Sequence, residues 1–102
     1  MKLTFSPIRM DMALVAEVRG DTLILNGEAY DFSPLPEAAV LPRDAVDCLW
    51  LASDVTRCEG ELELALVLPH GADAPQETLF PVPMRVVKDG ILDLPPYETK
   101  EA

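Results

Sequence analysis

At 102 residues the chain has the length of a single domain, and 49% apolar residues supply enough material for a packed core, which excludes a disordered polar segment. Eight Lys and Arg against eighteen Asp and Glu leave a formal charge of -10, so a nucleic-acid backbone would be repelled rather than neutralised. The opening residues, Met1-Lys2-Leu3-Thr4-Phe5-Ser6-Pro7, lack the run of about 7–15 apolar residues a secretory leader needs, and no apolar stretch reaches a membrane span; a cytoplasmic protein with no membrane partner is expected.

Taken in chain order, the first element signal is the pair Gly20-Asp21. Closing a two-residue loop there sets Arg19 opposite Thr22, Val18 opposite Leu23 and Ala16 opposite Leu25. Leu14, Ala16, Val18, Leu23 and Leu25 then gather on one face, and Glu17, Arg19, Thr22 and Asn26 on the other. A slip of one residue would scramble that sorting. Asn26-Gly27 is a type I′ turn signal, since both central positions need positive φ. It adds a third strand that sets Leu25 against Glu28 and Leu23 against Tyr30, with Tyr30 and Phe32 extending the apolar face.

Residues Ser33–Asp44 carry Pro34, Pro36 and Pro42, which remove ladder donors and exclude a central strand. The segment reads as a connection, with one helical turn at Pro36–Ala39 stopped by Pro42. Glu59-Gly60 closes the next hairpin, joining Trp50–Arg57 to Glu61–Leu68, where Leu62, Leu64, Leu66 and Leu68 alternate as in a half-buried strand. That register pairs Val55 with Leu64, Ser53 with Leu66 and Leu51 with Leu68. Pro69–Pro83 reads as a long surface loop. Asp89-Gly90 predicts a last hairpin, with Val87 facing Leu92 and Arg85 facing Leu94, before Pro95-Pro96 ends regular structure.

The fold class that follows is all-β: a small β-sandwich or barrel of about seven short strands built from hairpins, with at most one helical turn. Residues 1–97 form one β domain and residues 98–102 a frayed tail.

Candidate chemistry is sparse. His70 is the single histidine, and Cys48, Cys58, Asp54 and Asp73 are the residues that could join it in a nucleophile or metal shell. No C-x₂-C or H-x₃-H spacing is present, so no metal and no cofactor are expected. Cys48 and Cys58 fall on what reads as one extended segment, about 30 Å apart at roughly 3.3 Å per residue, beyond disulfide reach, and two free thiols are expected. Run to its full length, the Glu59-Gly60 hairpin would bring Cys48 near residue 71 and so near His70. Cys48 is otherwise a small buried apolar side chain and His70 a solvated turn residue. Phosphate loops, dinucleotide fingerprints and the hydrolase elbow are missing, and no catalytic residue is assigned. Trp50 reads as a core aromatic that could alternatively anchor an interface. The candidate interface or loop site is therefore Trp50, His70, Asp73 and Phe80.

The strings Ile24-Leu25-Asn26-Gly27-Glu28-Ala29-Tyr30-Asp31-Phe32, Cys48-Leu49-Trp50-Leu51-Ala52-Ser53-Asp54 and Leu68-Pro69-His70-Gly71-Ala72 resemble small uncharacterised proteins encoded in tail-gene regions of tailed phages and prophages. The resemblance spans Leu3 to Tyr97. It implies a non-catalytic structural or assembly-accessory protein of a tail system, acting through protein contacts with a partner or in a homo-oligomer, and incorporated into the particle if it is a tail component. The alternative is a small binding module or enzyme whose site is the His70–Phe80 loop, since long loops between strands are where function tends to sit.

Overall fold

The computed structural model describes residues 1–97, so the expected frayed tail at 98–102 lies outside the described residues. Among the described residues nine strands form two sheets: β1 Lys2–Arg9, β2 Ala16–Arg19, β3 Thr22–Leu25, β4 Glu28–Asp31, β5 Val40–Leu41, β6 Val55–Cys58, β7 Glu61–His70, β8 Met84–Arg85 and β9 Gly90–Ile91. One sheet runs β5-β6-β7-β1-β8 and the other β4-β3-β2-β9. Helical structure among the described residues is confined to a 3₁₀ turn at Arg43–Ala45 and a single α turn, α1, at Gln76–Leu79. The all-β class read from the sequence is the class observed.

The meander forms in the register its turns dictate. Arg19 pairs with Thr22, Val18 with Leu23 and Ala16 with Leu25, and after Asn26-Gly27 Leu25 pairs with Glu28 and Leu23 with Tyr30. Asn26 and Gly27 both have positive φ, 49° and 86°, as a type I′ turn requires. Leu14, Ala16, Val18, Leu23, Leu25 and Phe32 are all buried, and they share one core with Leu3, Leu62, Leu64 and Leu66 of the other sheet. The two sheets therefore cover each other's apolar faces, as a sandwich requires.

Side chains clamp the layers where the chain crosses between them. Arg57, on β6, has only 12% of its side chain exposed; its guanidinium donates to the Leu35 carbonyl at 2.6 Å, the Phe32 carbonyl at 3.2 Å and the Asp21 carboxylate at 3.0 Å. The β4–β5 crossover and the β2–β3 turn are thereby tied to the first sheet. Asn26 does the same at the β1–β2 crossover, its Oδ1 accepting the Val15 N–H at 2.7 Å and its Nδ2 donating to the Ala13 carbonyl.

Five expectations are corrected. Two segments not read as strands, Lys2–Arg9 and Val40–Leu41, form β1 and β5. β5 lies inside the segment read as a connection, but as a two-residue sheet edge, where prolines on either side are tolerated. Pro36–Ala39 is a reverse turn, with Ala39 N–H on the Pro36 carbonyl and Ala38 at φ 63°, rather than a helical turn.

The Glu59-Gly60 hairpin holds its register from Cys58↔Glu61 to Thr56↔Glu63 and then shifts, so that Leu51 faces Leu66 instead of Leu68 and Ser53 leaves the ladder. The cause is local. Ser53 Oγ accepts the Ala65 N–H at 2.8 Å while the Ala65 carbonyl takes the Ala52 N–H, and Asp54 turns outward to the Arg43 N–H. Because the shift is two residues, Leu51 keeps its inward face and is 1% exposed.

The long loop begins later than Pro69, because β7 continues through Pro69 and His70 beside β1. Finally, the Asp89-Gly90 hairpin does not form. β8 is taken by β1 in the first sheet and β9 by β2 in the second, and Asp89 instead caps the neighbouring turn by accepting the Gly20 N–H at 2.8 Å.

Candidate functional site

The end of β7 delivers the chain to a segment fastened from both sides. The buried Gly71 donates its N–H to the Tyr97 carbonyl at 2.9 Å, and the Tyr97 hydroxyl reaches the Met10 carbonyl. Pro75 precedes α1 as its N-cap in extended conformation, and its carbonyl accepts the Thr78 N–H at 3.0 Å. Within α1, Thr78 is fully buried and donates its hydroxyl to the Pro96 carbonyl at 2.5 Å, which satisfies the one polar side chain sealed in this layer. Thr78 points inward, so Glu77, Leu79 and Phe80 stay outside. Pro81-Val82-Pro83 then leads into β8.

This arrangement leaves an open groove of about 670 Å³ lined by Phe5, Glu77, Phe80, Val82, Pro83, Met84 and the Asp93–Pro96 strip. A second hollow, of about 320 Å³, lies against that strip, and its lining includes Val15 and Ile91. Phe80 is 73% exposed, Val82 77% and Ile91 74%. Apolar side chains left this open in one neighbourhood are unusual on a protein surface and mark contact sites. Glu77 and Asp93 are the ionisable groups of the groove lining. It holds no histidine, cysteine, serine or lysine, so it offers apolar contact and negative charge rather than a nucleophile with its base.

Of the four candidate residues, the groove takes Phe80 alone. Trp50 is a core residue, 6% exposed, whose carbonyl accepts the Val67 N–H at 2.8 Å. His70 pairs with Arg9 across the β1–β7 ladder, with Nδ1 at 2.9 Å from the Gly71 carbonyl, and Asp73 is exposed on the loop beyond. Cys48 and Cys58 are both free. Cys48 is half-buried where the chain turns, its carbonyl accepting the Leu51 N–H, rather than on a straight strand. The chain turns at Cys48–Leu51, which ends the pairing with β7 at Trp50 and leaves Cys48 outside the ladder that would have carried it to residue 71.

Ionisable groups with displaced pKa values all have structural partners elsewhere. Burial, followed by hydrogen bonds with Cys48 and Glu28, raises the Tyr30 hydroxyl well above its ordinary 10.0. The Ser33 backbone N–H holds Asp31 below the usual carboxylate value, and Arg85 does so for Glu61. Among the described residues no cluster of three or more His, Cys, Asp or Glu could hold a metal ion, and no helix is long and apolar enough to cross a membrane. Sequence reasoning missed Phe5, Met84 and Leu94 as parts of a site because it did not see β1 and paired residues 85–94 with themselves. The signal available was the run Phe80-Pro81-Val82-Pro83, apolar side chains set between prolines that cannot donate to a ladder.

The fold and groove together define a two-sheet β protein with an apolar, acid-flanked groove. Compared with known proteins, the chain matches no family model, no curated protein and no solved structure.

Proposed function

We propose that this protein is non-catalytic and works by gripping another polypeptide in the Phe80 groove, as a structural or assembly component of a phage or prophage tail system. The observation that carries the contact reading is the open placement of Phe80 and Val82 together in the lining of one apolar groove. The tail setting is supported by the resemblance of the three strings quoted above. A different polypeptide is favoured over a second copy because a charge of -10 on each copy opposes self-association.

The test is affinity capture from the source strain after prophage induction, with the retained proteins identified by mass spectrometry. Wild-type protein retains a tail structural protein and Phe80→Glu does not. Phe80 is exposed, so the variant melts within about 0.5 kcal/mol of wild type. A wild-type protein that retains no tail component, or a variant that retains it equally, overturns the proposal.

A further inference from the structure

We infer that the partner enters the groove as an extended segment added to the open edge of β1, with a Lys or Arg of that segment meeting Glu77 and Asp93. The inference rests on the reading of the groove as a protein-contact surface and adds how the contact is made.

β1 is held along its whole length on one side, from Lys2↔Glu63 to Arg9↔His70. On the other side β8 covers only Lys2 and Leu3, and Val86 exchanges backbone bonds with Met1. Strand residues turn their backbone groups to alternate sides. Met1 faces β8 and Met10 faces β7 through its bond to the His70 carbonyl, so the odd-numbered residues face away from β7. Phe5, Pro7 and Arg9 therefore present their backbone to a side with no strand among the described residues. Continued by two residues, β8 would set Val82 opposite Phe5. The pairing instead stops at Met84, and Val82 is exposed. Pro7, the residue without an N–H, sits where a missing donor leaves the β7 ladder intact.

An unpaired edge beside an apolar groove is the arrangement that peptide-binding domains use for strand addition: backbone bonds supply affinity and alternate side chains fill the pocket. Phe5 belongs to both features, being an open-edge residue and part of the groove lining. The charge selects among extended segments. Glu77 and Asp93 are both carboxylates, on a chain of net charge -10, so a basic segment is attracted and an acidic one repelled.

The probe is a displayed library of random 12-residue peptides, panned against wild-type protein and against Phe80→Glu. Enriched peptides are expected to alternate apolar residues and to carry Lys or Arg. Their affinity drops about tenfold or more in Asp93→Lys, and the Phe5 and Arg9 amides exchange at least about tenfold more slowly when peptide is bound. Methylating alternate backbone nitrogens of a selected peptide weakens binding in one phase of the alternation and not in the other. Peptides that need Phe80 but leave the Phe5 and Arg9 amides unprotected overturn strand addition and spare the contact reading. Enrichment of acidic peptides overturns the charge assignment. A library that enriches nothing over Phe80→Glu overturns both.

Discussion

The meander of residues 14–32 and the hairpin of residues 55–68 are written by their turns, whereas residues 1–9 and 69–97 are held by partners far away in sequence. In the first region Asn26-Gly27 and Glu59-Gly60 put the chain into positive φ, and the cross-strand pairs then follow with apolar residues on the inner face. In the second, β1 pairs in parallel with a strand some sixty residues later and β8 and β9 go to different sheets. The first region closes on itself. The second completes both sheets but leaves Phe80, Val82, Val87 and Ile91 exposed. Surface that folding does not need is therefore concentrated where the chain is held by distant contacts, and that is where the groove lies.

The sharpest way to break this division is to attack the self-coded core. Leu64 is 4% exposed and sits opposite Leu3, so Leu64→Ala is expected to cost about 2–5 kcal/mol in urea melts. A loss below about 0.5 kcal/mol would mean the faces of β7 are reversed. Next comes the clamp between layers. Arg57→Met leaves the Leu35 and Phe32 carbonyls and Asp21 without their donor, for an expected loss of about 1.5–3 kcal/mol. Arg57→Lys should recover only part of this, since one ammonium cannot span three acceptors.

Gly27→Val isolates turn chemistry, because a Cβ there meets nothing within 4 Å and only the φ of 86° is unfavourable. We expect a loss of about 1–3 kcal/mol, and an unchanged midpoint would show that the turn does not set the register.

The smallest effect probes a tie between the regions. Glu61 on β7 accepts from Arg85 on β8 at 2.9 Å, which holds its folded-state pKa below the ordinary 4.5. A depressed carboxylate pKa stabilises above the unfolded value and loses that contribution as pH falls through the folded one. The stability gap between wild type and Glu61→Gln should therefore be constant above pH 4.5 and shrink below it. A gap independent of pH would remove the ion pair from the account.

These contrasts also explain what was legible in the sequence. Gly20-Asp21, Asn26-Gly27 and Glu59-Gly60 fixed registers because a two-residue loop leaves one choice of partner. Asp89-Gly90 has the same composition, yet Gly90 pairs with Val18 and Asp89 caps Gly20, a competition no dipeptide can reveal. β1 carries no hairpin signal because a parallel partner needs none, and Pro7 argues against a central strand until its open side is known. The bulge at Ser53 arises from a hydroxyl replacing a backbone acceptor, which an alternation pattern does not encode. Of the groove, only Phe80 could be named in advance. Its neighbours come from β1, β8 and the Asp93–Pro96 strip, three segments brought together by the topology.

The division between a self-coded core and a contact-held surface region is tested most directly by native-state hydrogen exchange. The Leu23 and Glu63 amides should exchange only through global unfolding, with a denaturant dependence matching the urea melt. The Val86 and Leu92 amides, bonded to Met1 and Ala16 at 2.7 and 2.8 Å, should exchange through local opening at lower free energy and with little denaturant dependence. Four amides sharing one opening energy and one denaturant slope would contradict the account, because the region that forms the groove would then be as much a part of the cooperative core as the meander.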